Sequence, residues 1–326
     1  MPVPDLPRFR LFDGPSPFHR VPRFAEALGG RVDLWVKRED LLPVAFGGNK
    51  LRNLEFLVGA ALAESADTLV TVGRRWSNHA RLTAAAGAMA GLDVHLVLSG
   101  PPTAPPNPGV VLDRLFGATV HLTATSDRAD REALLDRVTT ELRAAGRRPY
   151  VVGVGGSGPV GSFGQVLAAL EVAAQAAAAG VRPARIIVPT ATGGTHAGLV
   201  VGCTLAGQGT SVIGVVVSPL ELGGPSGLQA KVDAVAGLVG ATVTDPLELD
   251  PSQLGAGYGR PTEDAAAATT LLARTEGILV DPIYTAKALA GLIDLVRSGV
   301  LDGRNVVFWH AGGTPGLFEP LPSAAG

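Results

Sequence analysis

Cysteine is nearly absent from this chain of 326 residues, which contains Cys203 and no other. One thiol cannot form a disulfide within the chain, and it also excludes a cluster of thiolate metal ligands. We therefore expect no metal site. Cys203 lies in the small-residue stretch GLVVGCTLAG, which predicts a buried cysteine that packs like a small apolar residue.

Aromatic residues and an excess of one charge are also lacking. Aromatic side chains make up 5% of the sequence, and the formal net charge is −2. Nucleic-acid-binding proteins usually carry a basic surface and aromatic stacking positions, so we expect no nucleic-acid partner. The N-terminus lacks a charged-then-apolar leader pattern, and we expect no run of ~18 apolar residues that would span a bilayer. These features favour a cytoplasmic protein without a membrane partner.

What the sequence does have is a regular alternation of two kinds of segment. Apolar residues make up 46% of the chain and charged residues 17%, which is typical of a globular protein, and the length suits two domains. Short β-branched segments alternate with helical segments rich in alanine and leucine. The strand candidates are DLWVKR, DTLVTVG, DVHLVLS, ATVHLTA, PYVVGV, ARIIVPT, SVIGVVVS and NVVFWHA. This alternation predicts an α/β fold with parallel sheets, in which ligands bind at the carboxyl ends of strands.

The first loop with unusual chemistry is AFGGNK, which ends at Lys50. Its two glycines allow a tight turn, and Lys50 follows at the predicted start of a helix. A lysine that is partly buried at a helix N-terminus has a lowered pKa and a more nucleophilic amine. The alternative is a lysine exposed to solvent. The apolar residues that this helix should bury are Leu51, Leu54, Phe56 and Leu57.

The second loop is TVGRRWSNHARL, residues 71–82, a strand followed by a turn and a helix. Ser77 is a suitable N-cap residue. The backbone N–H groups of Ser77, Asn78 and His79 would then point out of the helix start and could bind an anion. The alternative is ordinary capping without a ligand. No metal-ligand spacing surrounds His79.

The third loop lies in IIVPTATGGTHAGLVVG, residues 186–202, where an apolar strand leads directly into a helix. Thr190 and Thr192 offer hydroxyl groups, the two glycines offer accessible N–H groups, and Thr195 is the expected helix cap. The composition favours a phosphate site. The loop lacks both the Gly-Lys-Ser/Thr of a Walker loop and the spaced glycines of a dinucleotide site.

Together, the three loops predict a site for pyridoxal phosphate (PLP). Lys50 would hold the aldehyde of the cofactor, and the TATGGT loop would bind its phosphate. The SNH helix start would bind the carboxylate of a small amino-acid substrate.

Several motifs occur in an order that extends from about Phe18 to Phe318: KRED, FGGNKLRNLEFL, SNHARLTAAA, GGTHAGL, GYGRP, DPIYTAKALAGLID and HAGGTPGLF. In these motifs the sequence resembles the D-cysteine desulfhydrase and 1-aminocyclopropane-1-carboxylate (ACC) deaminase family. That family comprises fold-type II PLP enzymes, which are relatives of the tryptophan synthase β-subunit. The resemblance implies two doubly wound parallel-sheet domains with the cofactor between them, and a homodimer. Residues 1–46 and 161–326 would form the large domain, and residues 47–160 an inserted small domain.

The resemblance also implies residue roles. Lys50 would link to PLP and move the Cα proton, Tyr258 and Tyr284 would be the two active-site tyrosines, and Ser77 would assist catalysis. The alternative for the tyrosines is a pair of core aromatics. Substrate contacts would come from Ser77, Asn78 and His79. The further cofactor contacts would come from Asn78, Thr190, Ala191, Thr192, Gly193, Gly194 and Thr195.

The sequence departs from the family pattern around the first two loops. Asn53 stands where the family has a second lysine that helps to bind phosphate, although its amide can still donate a hydrogen bond to the cofactor. Arg74, Arg75 and Trp76 precede the SNH helix start, and we expect them to border the substrate and change the size and charge of its pocket. Two adjacent arginines also suit a carboxylate or a phosphate.

A third departure concerns the pyridine nitrogen of PLP. Ala311 replaces a threonine, and Thr285 a glutamate, at the two positions that meet this nitrogen in the subfamilies. Thr285 or Thr314 would serve instead, or no side chain would. A hydroxyl partner, or none, leaves the nitrogen largely unprotonated, which β-elimination and β-replacement tolerate.

We therefore expect a PLP-dependent lyase or deaminase that performs β-elimination on a small, D-cysteine-like amino acid and releases a keto acid and ammonia. The arginines before Ser77 keep open a biosynthetic enzyme that eliminates or replaces a group on a substrate with an extra acidic group. An ACC deaminase is disfavoured by Thr285. A non-catalytic PLP-binding protein is disfavoured by the presence of Lys50, Tyr258 and Tyr284.

Overall fold

The computed structural model describes residues 3–100 and 107–319, which contain ten strands and eleven α-helices. The strands are β1 (Phe18–Arg20), β2 (Asp33–Arg38), β3 (Thr68–Arg74), β4 (Asp93–Ser99), β5 (Thr119–Leu122), β6 (Pro149–Val152), β7 (Arg185–Thr190), β8 (Ser211–Val216), β9 (Glu248–Asp250) and β10 (Asn305–His310). The helices are α1 (Pro22–Ala27), α2 (Lys50–Ala63), α3 (Asn78–Ala90), α4 (Pro108–Leu115), α5 (Arg128–Ala144), α6 (Pro159–Ala178), α7 (Gly194–Ala206), α8 (Pro219–Leu222), α9 (Gly224–Val239), α10 (Glu263–Glu276) and α11 (Thr285–Arg297). The proline-rich stretch SGPPTAPPNPG, residues 99–109, lies partly outside the described residues.

The strands form two sheets. One has six strands in the order β1-β2-β10-β7-β8-β9, and the other has four in the order β5-β4-β3-β6. Every pairing is parallel except the antiparallel pair of β1 with β2. The predicted α/β class and all eight predicted strands are confirmed. The sequence reasoning missed β1 and β9, the three-residue strands at the two edges of the larger sheet.

Helix α6 packs between α2 and α7. Helix α2 precedes the first strand of the smaller sheet, and α7 follows β7 of the larger sheet. Phe56 of α2 meets Phe163 of α6 edge-to-face, with ring centroids 4.9 Å apart. Glycines allow the close approach, because a Cβ at Gly164 would lie 2.0 Å from the carbonyl oxygen of Arg52. All strands of the smaller sheet fall between residues 68 and 152. The boundaries 47–160 for an inserted domain stay a prediction.

The segment Val154–Ala178, which contains α6, is long and apolar enough to cross a membrane by length and composition alone. It is not an uninterrupted apolar run of the kind considered in the sequence analysis, because Ser162, Gln165, Glu171 and Gln175 fall within it. Its most apolar window is 56% buried inside the protein, and a core helix passes the same test. Cys203 is buried as predicted, and burial raises the pKa of its thiol to about 12.

A buried network of charges supports the start of α2. The Arg52 guanidinium donates to Glu39 at 2.6 and 2.9 Å and to Glu171 of α6 at 2.8 and 3.0 Å. Lys37 of β2 also contacts Glu171, and it donates a 2.9 Å bond to the carbonyl oxygen of Ser16. The network holds the first turn of α2, which begins with Lys50, against the N-terminal segment, β2 and α6.

Candidate active site

A cavity of about 840 Å³, its open mouth included, lies where the strands of both sheets end and their helices begin. This size suits a cofactor together with a small substrate. Most of the predicted site residues line it: Lys50, Arg74, Ser77, Asn78, His79, Thr190, Ala191, Thr192, Gly193, Thr195, Tyr258, Tyr284 and Ala311. Five predicted residues are not part of this lining: Asn53, Arg75, Trp76, Gly194 and Thr285.

The AFGGNK loop presents Lys50 from a strained turn. Ala45, Phe46, Gly47 and Gly48 all have positive φ, and a Cβ at Gly47 would lie 2.2 Å from the carbonyl oxygen of Asp40. Only glycine therefore fits at that position. The loop is also held by backbone hydrogen bonds and by the Arg81 side chain, which donates to the carbonyl of Ala45.

Helix α2 begins at Lys50, as predicted, and its four predicted apolar residues are buried. Burial lowers the pKa of the Lys50 amine to about 8. The shift is a consequence of desolvation, because surrounding protein replaces the water that would stabilise the ammonium form. A substantial share of the amine is therefore neutral near neutral pH and able to act as a nucleophile or a proton acceptor.

The second loop offers a candidate anion site at the start of α3. Ser77 is the N-cap, as predicted, and its hydroxyl oxygen accepts a 3.2 Å hydrogen bond from the N–H of Ala80. The N–H groups of Asn78 and His79 lie in the first turn, where the helix offers no acceptor for them. The prediction for Ser77 is wrong, because its N–H donates to the carbonyl oxygen of Arg74 at 2.9 Å. This arrangement suits the carboxylate of an amino acid.

His79 adds an acceptor to the same wall. The Thr71 hydroxyl donates to the carbonyl oxygen of Val152 at 2.8 Å and lies 3.0 Å from Nε2 of His79. Because that hydroxyl proton is already used, Nε2 of His79 donates and Nδ1 is left as an acceptor. Burial, and then the charge of Lys50, lower the pKa of His79 to about 3. Among the described residues this buried Nδ1 has no partner.

The third loop forms a cradle at the start of α7. The helix cap is Gly193, with a φ of 81°, and the prediction that Thr195 caps the helix is wrong. Thr195 lies within the first turn, where its hydroxyl oxygen accepts a 2.8 Å bond from the amide of Asn49 and keeps its own proton for a ligand. A Cβ at Gly194 would lie 2.7 Å from Ser157, so the cradle is tight. Its N–H groups and hydroxyls fit a phosphate.

Tyr258 and Tyr284 lie next to each other on the cavity wall. Their hydroxyl groups share a short hydrogen bond, and the rings meet edge-to-face with centroids 5.9 Å apart. Burial raises the pKa of both phenols, so both are protonated at neutral pH. The guanidinium carbon of Arg74 lies 5.9 Å from the centroid of the Tyr258 ring, and the Trp76 ring packs 6.4 Å from it.

The residues outside the lining have other partners. The Asn53 amide donates to the carbonyl oxygen of Gly156 at 3.0 Å and accepts from Gln165 at 2.5 Å, because one helical turn after Lys50 it faces α6. The Thr285 hydroxyl donates to Asp281 at 2.6 Å. Trp76 packs over Gly259 and supports the loop of Tyr258.

Sequence reasoning missed three charged residues of the lining: Asp281, Arg131 and Glu221. Asp281 is fully buried and accepts hydrogen bonds from the N–H groups of residues 283–285, which fixes the start of α11. Its position at the head of DPIYTAK was a usable signal, because an acidic residue before a helix start is a typical cap. Nothing in the polar sequence of α5 distinguishes Arg131 from its neighbours.

Lys50 and the starts of α3 and α7 meet on one cavity, and the sequence of the chain matches a known family. A family model described as pyridoxal-phosphate dependent enzyme matches residues 9–312, and the chain belongs to this family. Its cofactor is therefore PLP, and the resemblance inferred from the motifs is confirmed. The tight cradle at the start of α7 suits the phosphate of this cofactor, and the Lys50 amine, whose pKa is lowered, suits its aldehyde.

The chain is also similar to individual proteins along most of its length. The chain is 40% identical over 323 residues to the D-cysteine desulfhydrase of Salmonella choleraesuis (strain SC-B67), with 97% of each chain covered. A crystal structure of an ACC deaminase homologue superposes with a TM-score of 0.88 at 34% identity, covering 96% of this chain and 94% of that one. A threonine deaminase isoform from Solanum lycopersicum, at 19% identity and a TM-score of 0.67, shares the fold, and the superposition covers 91% of this chain and 79% of that one.

Proposed function

We propose that this protein is a PLP-dependent lyase that eliminates the β-substituent of a small, D-cysteine-like amino acid to give a keto acid and ammonia. The observation that carries the proposal is the meeting of Lys50, the anion site at α3 and the Tyr258–Tyr284 pair on one cavity. The similarity to D-cysteine desulfhydrases along nearly the whole chain supports the same reaction.

Binding and orientation come from two helix starts. The start of α7, with Thr192 just before its cap and Thr195 in its first turn, would hold the cofactor phosphate. The start of α3, with its cap Ser77 and Asn78, would hold the substrate carboxylate. The N–H groups at both starts carry the positive end of a helix dipole. Because α3 follows β3 of the smaller sheet and α7 follows β7 of the larger one, each sheet would supply one of the two binding positions.

Proton transfer is the task of Lys50 and the tyrosines. When bound, PLP supplies an electron sink that stabilises negative charge at the substrate Cα. The Lys50 amine, with its pKa lowered to about 8 by burial, takes the proton from this Cα. The Tyr258–Tyr284 pair, protonated at neutral pH, donates a proton to the departing sulfur, and each hydroxyl orients the other.

The remaining expectations complete the proposal. The small domain comprises residues 47–160, the protein is a cytoplasmic homodimer, and the substrate is a free amino acid. Light scattering on the eluted protein and cell fractionation test the dimer and its location. ACC ring opening has less support, because the residue beside Tyr284 is a threonine whose hydroxyl is bonded to Asp281.

The test is turnover of a panel of amino acids by the protein reconstituted with PLP. D-Cysteine, L-cysteine, D-serine and ACC are compared by release of keto acid and of sulfide where present. We expect D-cysteine to have the highest kcat/KM. Turnover of ACC or of L-cysteine at a higher kcat/KM than D-cysteine would contradict the proposed substrate, and no turnover of any member would contradict the lyase.

A further inference from the structure

Arg131 is a buried cation on the cavity wall that the reaction above does not use. It lies in the first turn of α5, its side chain is 2% exposed, and it lines the cavity. A cation in the first turn of a helix faces the positive end of the helix dipole, which is unfavourable. Burial of a guanidinium adds a desolvation cost. Both costs indicate that Arg131 is held there for an anion.

The hydrogen bonds of Arg131 leave part of its guanidinium available. Nη2 donates to Oε1 of Glu221 at 2.9 Å, and Nη1 reaches Oγ of Ser99 at a long 3.4 Å. Nε is buried and has no partner within residues 3–100 and 107–319. A guanidinium has five N–H donors in a planar fork, so a ligand with two oxygens could be bound alongside or in place of Glu221.

The two members of the ion pair, Arg131 and Glu221, differ in solvent exposure and lie on elements that pack on different sheets. Arg131 extends from α5, which packs on β3 and β4 of the smaller sheet, whereas Glu221 lies in the short helix α8 that follows β8 of the larger sheet. The Glu221 side chain is 16% exposed, against 2% for Arg131. The carboxylate can therefore turn towards water at the cavity mouth, while the guanidinium stays in the wall. Glu221 has the properties of an exchangeable counter-ion.

We propose that Arg131 is a specificity residue that binds a carboxylate on the β-substituent of the substrate, with Glu221 displaced towards solvent. The inference rests on the proposed β-elimination and names its substrate class: amino acids whose sulfur-linked leaving group carries an acid. In the reaction the Cβ–S bond breaks, the sulfur leaves as a thiol with one proton, and the three-carbon remainder takes up water to give pyruvate and ammonia. Paired N–H···O bonds between guanidinium and carboxylate are strong and geometrically selective.

The experiment compares two substrates that differ in one acidic group, D-S-carboxymethylcysteine and D-S-methylcysteine, on the PLP-loaded enzyme. The measured quantity is the ratio of their kcat/KM values, acidic over neutral. We expect a ratio above one for the natural sequence. Arg131→Gln should lower it about 10- to 100-fold, the size expected for hydrogen bonds to a charged group. Glu221→Gln should raise it, because it removes the competing carboxylate but leaves the guanidinium.

Both variants break the same ion pair, so a purely structural role would change the substrate ratio in the same way in both. The proposal predicts changes of opposite sign. Equal losses in the two variants would show a purely structural pair and overturn the proposal. A larger PLP dissociation constant in Arg131→Gln, with an unchanged substrate ratio, would assign the arginine to the cofactor phosphate instead. That result would also overturn the proposal. Arg143→Gln is the matched control, since Arg143 is an exposed cation in the last turn of the same helix and should leave the ratio unchanged.

Failure of the proposed reaction can be told apart from failure of this inference. If neither thioether is cleaved, calorimetric binding of the same two amino acids to the PLP-loaded protein still gives a ratio of dissociation constants. Tighter binding of the acidic compound that is lost in Arg131→Gln supports the arginine site whatever the reaction is. Equal binding of both compounds overturns it. Turnover of D-cysteine, measured separately, tests the lyase alone.

Discussion

The ammonium group of Lys287 donates a 2.7 Å hydrogen bond to the carbonyl oxygen of Leu254, in the loop that leads to Tyr258. A second bond of 3.2 Å reaches the carbonyl oxygen of Gly257. Lys287 is fully buried in α11, three residues after Tyr284, and burial lowers its pKa to about 8. One side chain thus connects the two segments that carry Tyr258 and Tyr284 of the cavity lining.

Replacing Lys287 with methionine should therefore loosen the tyrosine pair. Two carbonyl groups lose a buried donor, which costs about 1–3 kcal/mol of unfolding free energy for each group left without a partner. We expect kcat for D-cysteine to fall while the PLP dissociation constant changes little, because the phosphate cradle is on α7. Urea unfolding, kcat and PLP titration measure the three quantities.

Arg297→Met is the control for this prediction, because Arg297 is an exposed cation on the same helix. A surface substitution of this kind usually changes the free energy of unfolding by less than ~0.5 kcal/mol. If Lys287→Met lowered PLP affinity as much as kcat, its effect would not come from loosening of the tyrosine pair.

The tyrosines themselves should affect turnover more than cofactor binding. Tyr258→Phe and Tyr284→Phe keep the rings and remove the hydroxyls, so each should lower kcat by about 10²–10⁴-fold, the range of general acid–base catalysis. The double variant should cost little more than the worse single one, because the hydroxyls share one hydrogen bond. Unchanged turnover in both single variants would reduce the pair to packing residues.

Much of this architecture could be predicted from the sequence because parallel strands buried on both faces are continuous β-branched runs. All eight such runs were found, and Lys50 and Ser77 lie at the helix starts that the local signals indicated. The edge strands β1 and β9 were missed because three residues give no periodicity. The cap of α7 was misassigned because a glycine cap leaves no side-chain signal and Thr195 is a common capping residue type.

The charged pair Arg131–Glu221 could not be predicted, for a different reason. The two residues are 90 positions apart, and their meeting depends on how the two sheets face each other. Asn53 shows the reverse case, in which a residue at the right spacing on α2 turns towards α6 instead of the cavity. Side-chain direction in a helix is set by packing, which one sequence does not reveal.

The buried charge network behind Lys50 should be essential for folding. Arg52→Met leaves Glu39 buried with its main cation removed, and breaking a buried ion pair in this way typically costs about 3–5 kcal/mol. We expect a large loss of unfolding free energy in urea. Arg128→Gln breaks an exposed pair on α5 and should cost about 0.3–0.5 kcal/mol. Similar losses in the two variants would mean that the network is solvated in solution.

The loop before Ser77 allows a comparison of adjacent arginines. Arg74 lines the cavity and contacts Tyr258, whereas Arg75 packs against Gly100 outside the lining. Arg74→Gln should therefore lower kcat/KM by about tenfold or more, as expected for the loss of a charged hydrogen-bond donor. Arg75→Gln should act mainly on stability. PLP affinity is measured in both, since a selective loss of it in Arg74→Gln would assign that arginine to the phosphate.

The final prediction follows from the pKa of Lys50. Capture of PLP by the protein freed of cofactor needs the neutral amine. A pKa of about 8 makes roughly a quarter of it neutral at pH 7.5, against about 0.1% for an ordinary lysine of pKa 10.5. The rate of capture, followed by the visible absorbance of the bound cofactor, should therefore rise with pH and level off above about pH 8. Burial disfavours the charged form, so the direction of the shift is fixed.

Two controls separate this effect from the titration of PLP itself. Nα-acetyl-lysine amide, mixed with PLP over the same pH range, should keep gaining rate up to about pH 10 because its amine is unperturbed. With Lys50→Arg the absorbance should stay that of free PLP at every pH, since a guanidinium cannot replace the amine. A midpoint for the natural sequence close to that of the free lysine derivative would mean that water reaches Lys50 and that burial does not activate it.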